Sequence, residues 1–142
     1  MGSLMPGIFY HPEAYSITGP KLMGRNAAGD SFLRGYLKYA ISTDSFFAQV
    51  SAQSHASQIR EIVKKNGRFS RTKTIFSHDL NLAEDAGVIY HPVPGIGDHC
   101  RQRSFWNDDK WAICGITHTT SSSRAMDAIA DLVTAPVQPW DS

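Results

Sequence analysis

A histidine that follows an apolar strand is the residue of this sequence best placed to do chemistry. His118 comes directly after the run WAICGIT at 111–117, which predicts a short buried strand, and the hydroxyl residue Thr119 follows it. In open α/β sheets, ligands bind outside the carboxyl ends of the strands, so an imidazole at this point is positioned to meet a ligand. It could hydrogen-bond a substrate hydroxyl or exchange a proton with it. The alternative is a structural histidine that caps the strand end.

A glycine-containing turn is the second candidate. The sequence GPKLMG at 19–24 lies between the first predicted strand and a predicted helix, and Lys21 and Arg25 add positive charge to it. The free amides at a helix start attract anions, and Gly19 and Gly24 allow a phosphate to approach the backbone closely. The spacing is neither that of a dinucleotide fingerprint nor that of a P-loop. It predicts an anion-binding turn, with a tight turn carrying two solvated cations as the alternative.

Residues 91–106 contain two further groups of side chains that could bind ligands. The first holds potential zinc ligands, but their spacing matches no zinc motif, so we predict no metal. Its members are His91, Asp98, His99 and Cys100. The second could stack on a sugar or a base, with an exposed loop pinned by its aromatic residues as the alternative. Its members are Arg101, Arg103, Phe105 and Trp106.

Short apolar runs alternate with amphipathic stretches along the chain. The apolar runs predict five strands, at 7–10, 45–51, 72–76, 88–90 and 111–116. The amphipathic stretches predict four helices, at 23–41, 55–65, 80–86 and 123–133, with N-caps at Ser54 and within Ser121 to Ser123. Residues 91–110 are predicted to be irregular. This alternation predicts an α/β fold: a Rossmann-like, doubly wound, mainly parallel sheet with helices on both faces, in three α/β/α layers.

The composition is that of a single domain with a packed core. Of the 142 residues, 42% are hydrophobic and 19% are charged. The 14 Lys and Arg residues nearly balance the 13 Asp and Glu residues, so net charge predicts no attraction to nucleic acid or acidic membranes. No apolar run is long enough for a membrane span. Two cysteines are too few for a disulfide framework and favour the cytoplasm, with a peripheral position at a membrane left open. Residues 1–4, ahead of Met5, are typical of a cloning remnant, which leaves 5–142 as the domain.

Two stretches of the sequence resemble the N-terminal lobe of GT-B glycosyltransferases of the family 4 kind. They are GPKLMGRNAAG at 19–29 and ICGITHT at 113–119, and the order of strand, glycine turn, long helix and later strand ending in histidine is similar too. The resemblance covers nearly all of residues 5–142. We therefore expect this domain to be the acceptor-side lobe of a longer, two-lobed enzyme whose C-terminal lobe is missing here.

The resemblance implies a function and a set of site residues. The activity is hexosyl or related transfer from a nucleotide-sugar to a carbohydrate or lipid-linked acceptor, with no cofactor besides that co-substrate and no bound metal. His118 would contact the transferred sugar as the catalytic residue. The substrate-binding residues would be Gly19, Lys21, Gly24, Arg25 and Thr119. The lone lobe should bind the donor weakly and turn over little or nothing. The alternative function is a non-catalytic, flavodoxin-like or receiver-like module that binds a phosphate or a partner.

Overall fold

The computed structural model describes residues 5–15, 24–41, 44–117 and 122–142, with only the helical backbone described at 24 and 25. These residues form five strands: β1 (Gly7–Phe9), β2 (Ser45–Val50), β3 (Arg71–Phe76), β4 (Val88–Tyr90) and β5 (Ala112–Cys114). They also form the helices α1 (Pro12–Tyr15), α2 (Gly24–Tyr39), α3 (Gln53–Asn66), α4 (Ala83–Ala86), α5 (Gly97–Ser104) and α6 (Ser123–Ala130), the last continued by a 3-10 turn, Asp131–Val133. The predicted α/β class is confirmed.

The five strands form one parallel sheet in the order β3-β2-β1-β4-β5. This is the order of the first five strands of a Rossmann fold. It differs from the order 2-1-3-4-5 that is typical of flavodoxin-like and receiver domains. Strands β2 and β3 lie on one side of β1, and β4 and β5 lie on its other side. The connections that leave β1 and β4 therefore run in opposite directions, and a crevice opens between them.

Two hydrophobic cores pack on the two faces of the sheet. Alternation along β2 sends Phe46 and Val50 to one face and Phe47 to the other, because successive strand residues point to opposite faces. The first core buries residues of α2 and α3: Leu33, Leu37, Ala56, Ile59 and Val63. The second buries residues of α4 and α5: Ala83, Ala86 and Cys100. Helices therefore cover both faces, as predicted for a three-layer fold.

Most of the predicted helix ends lie near those of the structure, but the predicted starts of α3 and α4 are wrong, and α4 begins at Ala83 rather than at residue 80. Gly67 ends α3 in the left-handed conformation with φ 72°, and its N–H donates to the carbonyl of Val63. Ser122 caps α6, where its Oγ accepts a hydrogen bond of 3.1 Å from the amide of Ala125. The predicted N-cap at Ser54 is wrong, since α3 already begins at Gln53 and has no side-chain cap.

Helix α5 lies where the sequence predicted an irregular segment. Its buried side carries Cys100 and Arg103, so a hydrophobic pattern that counts only apolar residues does not show it. The Arg103 guanidinium forms a two-pronged ion pair with Asp141, at 2.6 and 2.7 Å, and both side chains are fully buried. The last residue then pairs with β5, because the N–H of Ser142 donates to the carbonyl of Ile113. The ion pair thus ties the chain end to α5 and to the sheet.

Candidate functional site

A cavity of about 260 Å³ lies between the carboxyl ends of β1 and β4. One wall comes from the chain that leaves β1, and the other from the chain that leaves β4 and from α5. We call this cavity the crevice; its lining residues are Phe9, His11, Glu13, Ala14, Pro92, Val93 and His99. Ligands of Rossmann-like folds bind at this position, where the strand order reverses.

Three rings pack together beside the crevice: Phe9 from β1, His91 after β4 and His99 from α5. The ring centroids of His91 and His99 are 3.7 Å apart, and Phe9 lies 5.1 Å from His91 and 5.3 Å from His99. Burial lowers the pKa of His91 well below its usual value, and the neighbouring His99 lowers it further. Burial also lowers the pKa of His99, and Asp98 offsets part of that change. Both imidazoles are therefore neutral near pH 7, so that each ring can donate one hydrogen bond and accept another.

The β1 side of the crevice carries a further imidazole, that of His11, and the carboxylate of Glu13. The amide of Glu13 donates to Nδ1 of His11 at 3.3 Å, which assigns the ring N–H to Nε2. His11 also meets His55 edge-on, with their ring centroids 4.7 Å apart. The side chain of Glu13 is exposed and adds hydrogen-bond acceptors to this wall. The crevice thus combines an apolar floor with polar groups on both walls, as sites for polar organic ligands do.

Helix α2 begins beside the crevice. The side-chain amide of Asn26 donates to the carbonyl of Glu13, and Gly29 packs closely against the carbonyl of Ala14. A side chain at position 29 would collide with that carbonyl oxygen, so glycine permits the close crossing of α1 and α2. The amino end of α2, with its free amides and positive dipole end, therefore lies next to the wall formed by Glu13 and Ala14.

Two of the six predicted site residues lie within the described part of the chain. Gly24 and Arg25 open α2, close to the predicted helix start at residue 23. The other four, Gly19, Lys21, His118 and Thr119, lie outside the described residues, so their convergence at the crevice stays a prediction. The chain leaving β5 does reach the crevice rim, because the amide of Ile116 donates to the carbonyl of Val93 at 3.1 Å.

The potential zinc ligands at 91–100 do not come together as a metal site in the described residues, although one of them, His99, lines the crevice. The potential zinc ligands have other partners: Asp98 pairs with Arg101, and Cys100 approaches Asp141 at 3.8 Å. In the described ranges, no three His, Cys, Asp or Glu side chains are grouped so that they could hold a metal ion. Of the predicted stacking residues, Arg101 bonds Asp131 and Arg103 bonds Asp141.

The aromatic residues of the second group lie far from the crevice. Phe105 and Trp106 follow the end of α5 and precede β5, so they lie at the amino edge of the sheet, opposite the crevice. Phe105 is exposed, as expected for an exposed loop. These residues do not line the crevice, and the stacking of a sugar or a base on Phe105 or Trp106 stays a prediction.

The sequence analysis missed the residues that line the crevice. The sequence gives no sign that His11 and Glu13 contact a ligand, and it offers His99 only as part of a weak zinc pattern. What these residues share is that their segments follow two strands, β1 and β4, that are neighbours in the sheet. That order depends on pairing between distant segments, which the sequence alone leaves open.

Comparison of the chain with protein-family models, curated proteins and solved structures found no match. Among the described residues, every helix is too short or too polar to cross a bilayer. The evidence on function therefore comes from the crevice, from the residues around it and from the two sequence motifs at 19–29 and 113–119.

Proposed function

We propose that this chain is the acceptor-side lobe of a glycosyltransferase that uses a nucleotide-sugar donor. The observation that carries the proposal is the crevice between β1 and β4, with the start of α2 against one wall and the chain leaving β5 at its rim. Those are the two segments in which the sequence resembles GT-B enzymes. We further propose that the enzyme acts in the cytoplasm, with a second lobe closing over this edge of the sheet.

Transfer would be promoted mainly by electrostatic stabilisation of the leaving group. When the bond between sugar and diphosphate breaks, negative charge builds on the phosphate oxygens. The amides at the Gly24 end of α2 and the charges of Lys21 and Arg25 would offset that charge. Losing one preorganised donor of this kind typically costs about 3 kcal/mol, which is a rate factor on the order of a hundred. His118 would orient the donor sugar and would not act as a nucleophile.

The crevice itself would hold the acceptor. The neutral imidazole of His99 and the protonated Nε2 of His11 can hydrogen-bond hydroxyl groups, and the Glu13 carboxylate can accept a bond from the hydroxyl that attacks. Phe9 and Pro92 offer apolar surface to the carbon face of a sugar. A cavity of about 260 Å³ is large enough for one sugar residue but not for a whole nucleotide-sugar.

A titration of the ¹⁵N-labelled chain followed by NMR tests the proposal. Sugars and sugar alcohols should shift amide signals from 9–14 and 91–99. Nucleoside diphosphates should shift the amide signals of residues 19–26 and 118. Glu13→Gln should weaken the sugar response, whereas the matched change Glu84→Gln on α4, outside the crevice lining, should leave it unchanged. Shifts with FMN alone, or no response at either set of amides, would favour the non-catalytic module, against which the strand order already argues.

A further inference from the structure

The near-neutral total charge conceals a strongly uneven distribution. Residues 38–73 carry seven of the fourteen Lys and Arg residues but only two of the thirteen Asp and Glu residues, Asp44 and Glu61. The remaining residues carry seven basic and eleven acidic side chains. The balance that predicted no attraction to an acidic surface therefore does not hold for this part of the chain.

The fold gathers these cations at one edge of the sheet. Helices α2 and α3 end, and strands β2 and β3 begin, at the amino edge of the sheet, opposite the crevice. Five exposed cations lie on these segments and form what we call the basic edge: Lys38, Lys64, Lys65, Arg68 and Arg71. One carboxylate approaches them, since Asp44 lies 3.9 Å from the guanidinium of Arg71. Lys64 and Lys65 also face the negative end of the α3 dipole, which favours their position there.

Two exposed apolar side chains sit among these cations. Tyr39 is 72% exposed and Ile41 is 86% exposed, at the point where α2 ends. The Arg68 guanidinium donates at 3.1 Å to the carbonyl of Ala40, the residue between Tyr39 and Ile41, so this cation lies next to the two apolar side chains. The ammonium group of Lys38 lies over the Tyr39 ring, 5.1 Å from its centroid. An aliphatic side chain this exposed, on a surface that also carries several cations, is the pattern of a surface that contacts a charged interface.

We propose that the basic edge docks this protein on a bilayer that contains anionic phospholipids. The cations would meet the lipid phosphates, while Tyr39 and Ile41 would enter the boundary between headgroups and acyl chains. Nucleic acid is the other polyanion that such a surface could meet. It would engage the cations but would leave the exposed isoleucine without apolar contacts, so the apolar pair favours lipid. Docking through this edge turns the crevice away from the membrane. The inference does not depend on the proposed transferase activity.

Co-sedimentation of the chain with vesicles tests this proposal. The protein should bind vesicles that contain phosphatidylserine, should bind phosphatidylcholine vesicles far more weakly, and should be released by salt. Each cation near the surface contributes about fivefold to partitioning, so Lys64→Ala/Lys65→Ala should reduce it roughly 25-fold. The control Arg34→Ala/Lys110→Ala removes the same charge from two exposed cations outside the basic edge, each held in an ion pair, and should reduce vesicle binding much less.

A second variant separates lipid from other polyanions. Ile41→Ser leaves every charge in place and should weaken vesicle binding about tenfold through the lost apolar burial. Thermal melts check that each variant folds, and Lys38→Gln replaces the double alanine variant if its melting temperature falls. Equal binding to both vesicle types, or equal losses in the two charge variants, would overturn the proposal. Unchanged vesicle binding by Ile41→Ser together with tight binding of a single-stranded RNA would reassign the surface to nucleic acid.

Discussion

The buried ion pair between Arg103 and Asp141 allows the sharpest quantitative prediction. Both side chains are fully buried, and every polar neighbour of the carboxylate is a donor. Oδ1 accepts from Arg103 and from the amide of Ile113 at 2.8 Å; Oδ2 accepts from Arg103 and from the amide of Gln138 at 2.8 Å. Burial alone would raise the pKa of Asp141, but these donors outweigh it and hold the pKa below its usual value.

Asp141→Asn keeps the shape of the side chain but removes its charge. The new NH₂ group must then face a donor whichever way the amide is turned, and the Arg103 guanidinium stays buried without a counter-charge. Breaking a buried pair in this way costs about 3–5 kcal/mol. A domain of this length has a total stability of about 7–20 kcal/mol, so the loss should be a large fraction of it. Urea denaturation, with the midpoint and slope fitted separately, measures it.

A matched pair on the same helix provides the control. Arg101, two positions earlier on α5, bonds Asp131 with the same two-pronged geometry, but these side chains are 41% and 37% exposed. Water screens exposed pairs, so Asp131→Asn should lower the free energy of unfolding far less. Similar losses in both variants, or a loss below about 1 kcal/mol in Asp141→Asn, would refute the reasoning that burial sets the cost.

Three further predictions concern the site and the packing around it. In the two-lobed enzyme that we propose, His118→Ala should lower transfer at least about tenfold with an unchanged far-UV spectrum; full turnover would refute its assigned role. The pKa of His91 is lowered in the folded protein, so as the pH drops below 6.5 the unfolded chain binds a proton that the folded chain does not. The free energy of unfolding should therefore fall in that pH range. His91→Phe should remove much of this fall, as measured by urea titrations. Gly95→Ala should destabilise by about 1–3 kcal/mol, since its Cβ would lie 2.7 Å from that of Ala128. Gly35→Ala, with open space in α2, should instead stabilise by about 1 kcal/mol, and equal effects would contradict the packing.

Much of the secondary structure could be predicted from local pattern. The strands were found because short apolar runs such as 88–90 are bounded by glycine and proline, and β4 matches its predicted bounds. Helix α5 was missed because its buried side holds an arginine, whose partner lies 38 residues away in sequence. Such a partner has no local signal. Met126 and Val133 are exposed although they lie on the apolar side of α6 and its 3-10 extension. Periodicity predicts that a helix has an apolar stripe but not which element covers it, so this exposure could not be predicted from the sequence.

Part of the candidate site could be predicted from the local sequence, and part could not. The motif at 19–25 led to the start of α2, which the structure sets beside Glu13 through Asn26. The crevice residues His11 and His99 could not be found, because their proximity follows from the pairing of β1 with β4 across 82 residues of chain. The charge of the basic edge was visible in the sequence between 60 and 73, but the total charge obscured it.

The account depends on the glycine turn, His118 and the crevice forming one site at the carboxyl edge of the sheet. A crystal structure of the chain soaked with a nucleoside diphosphate tests this most directly, because it locates the segments 16–23 and 118–121 together with the ligand. We expect the phosphates on the amides at Gly24, with Lys21 and His118 both facing the crevice between β1 and β4. A diphosphate bound elsewhere, or a His118 side chain turned away from the crevice, would contradict the account.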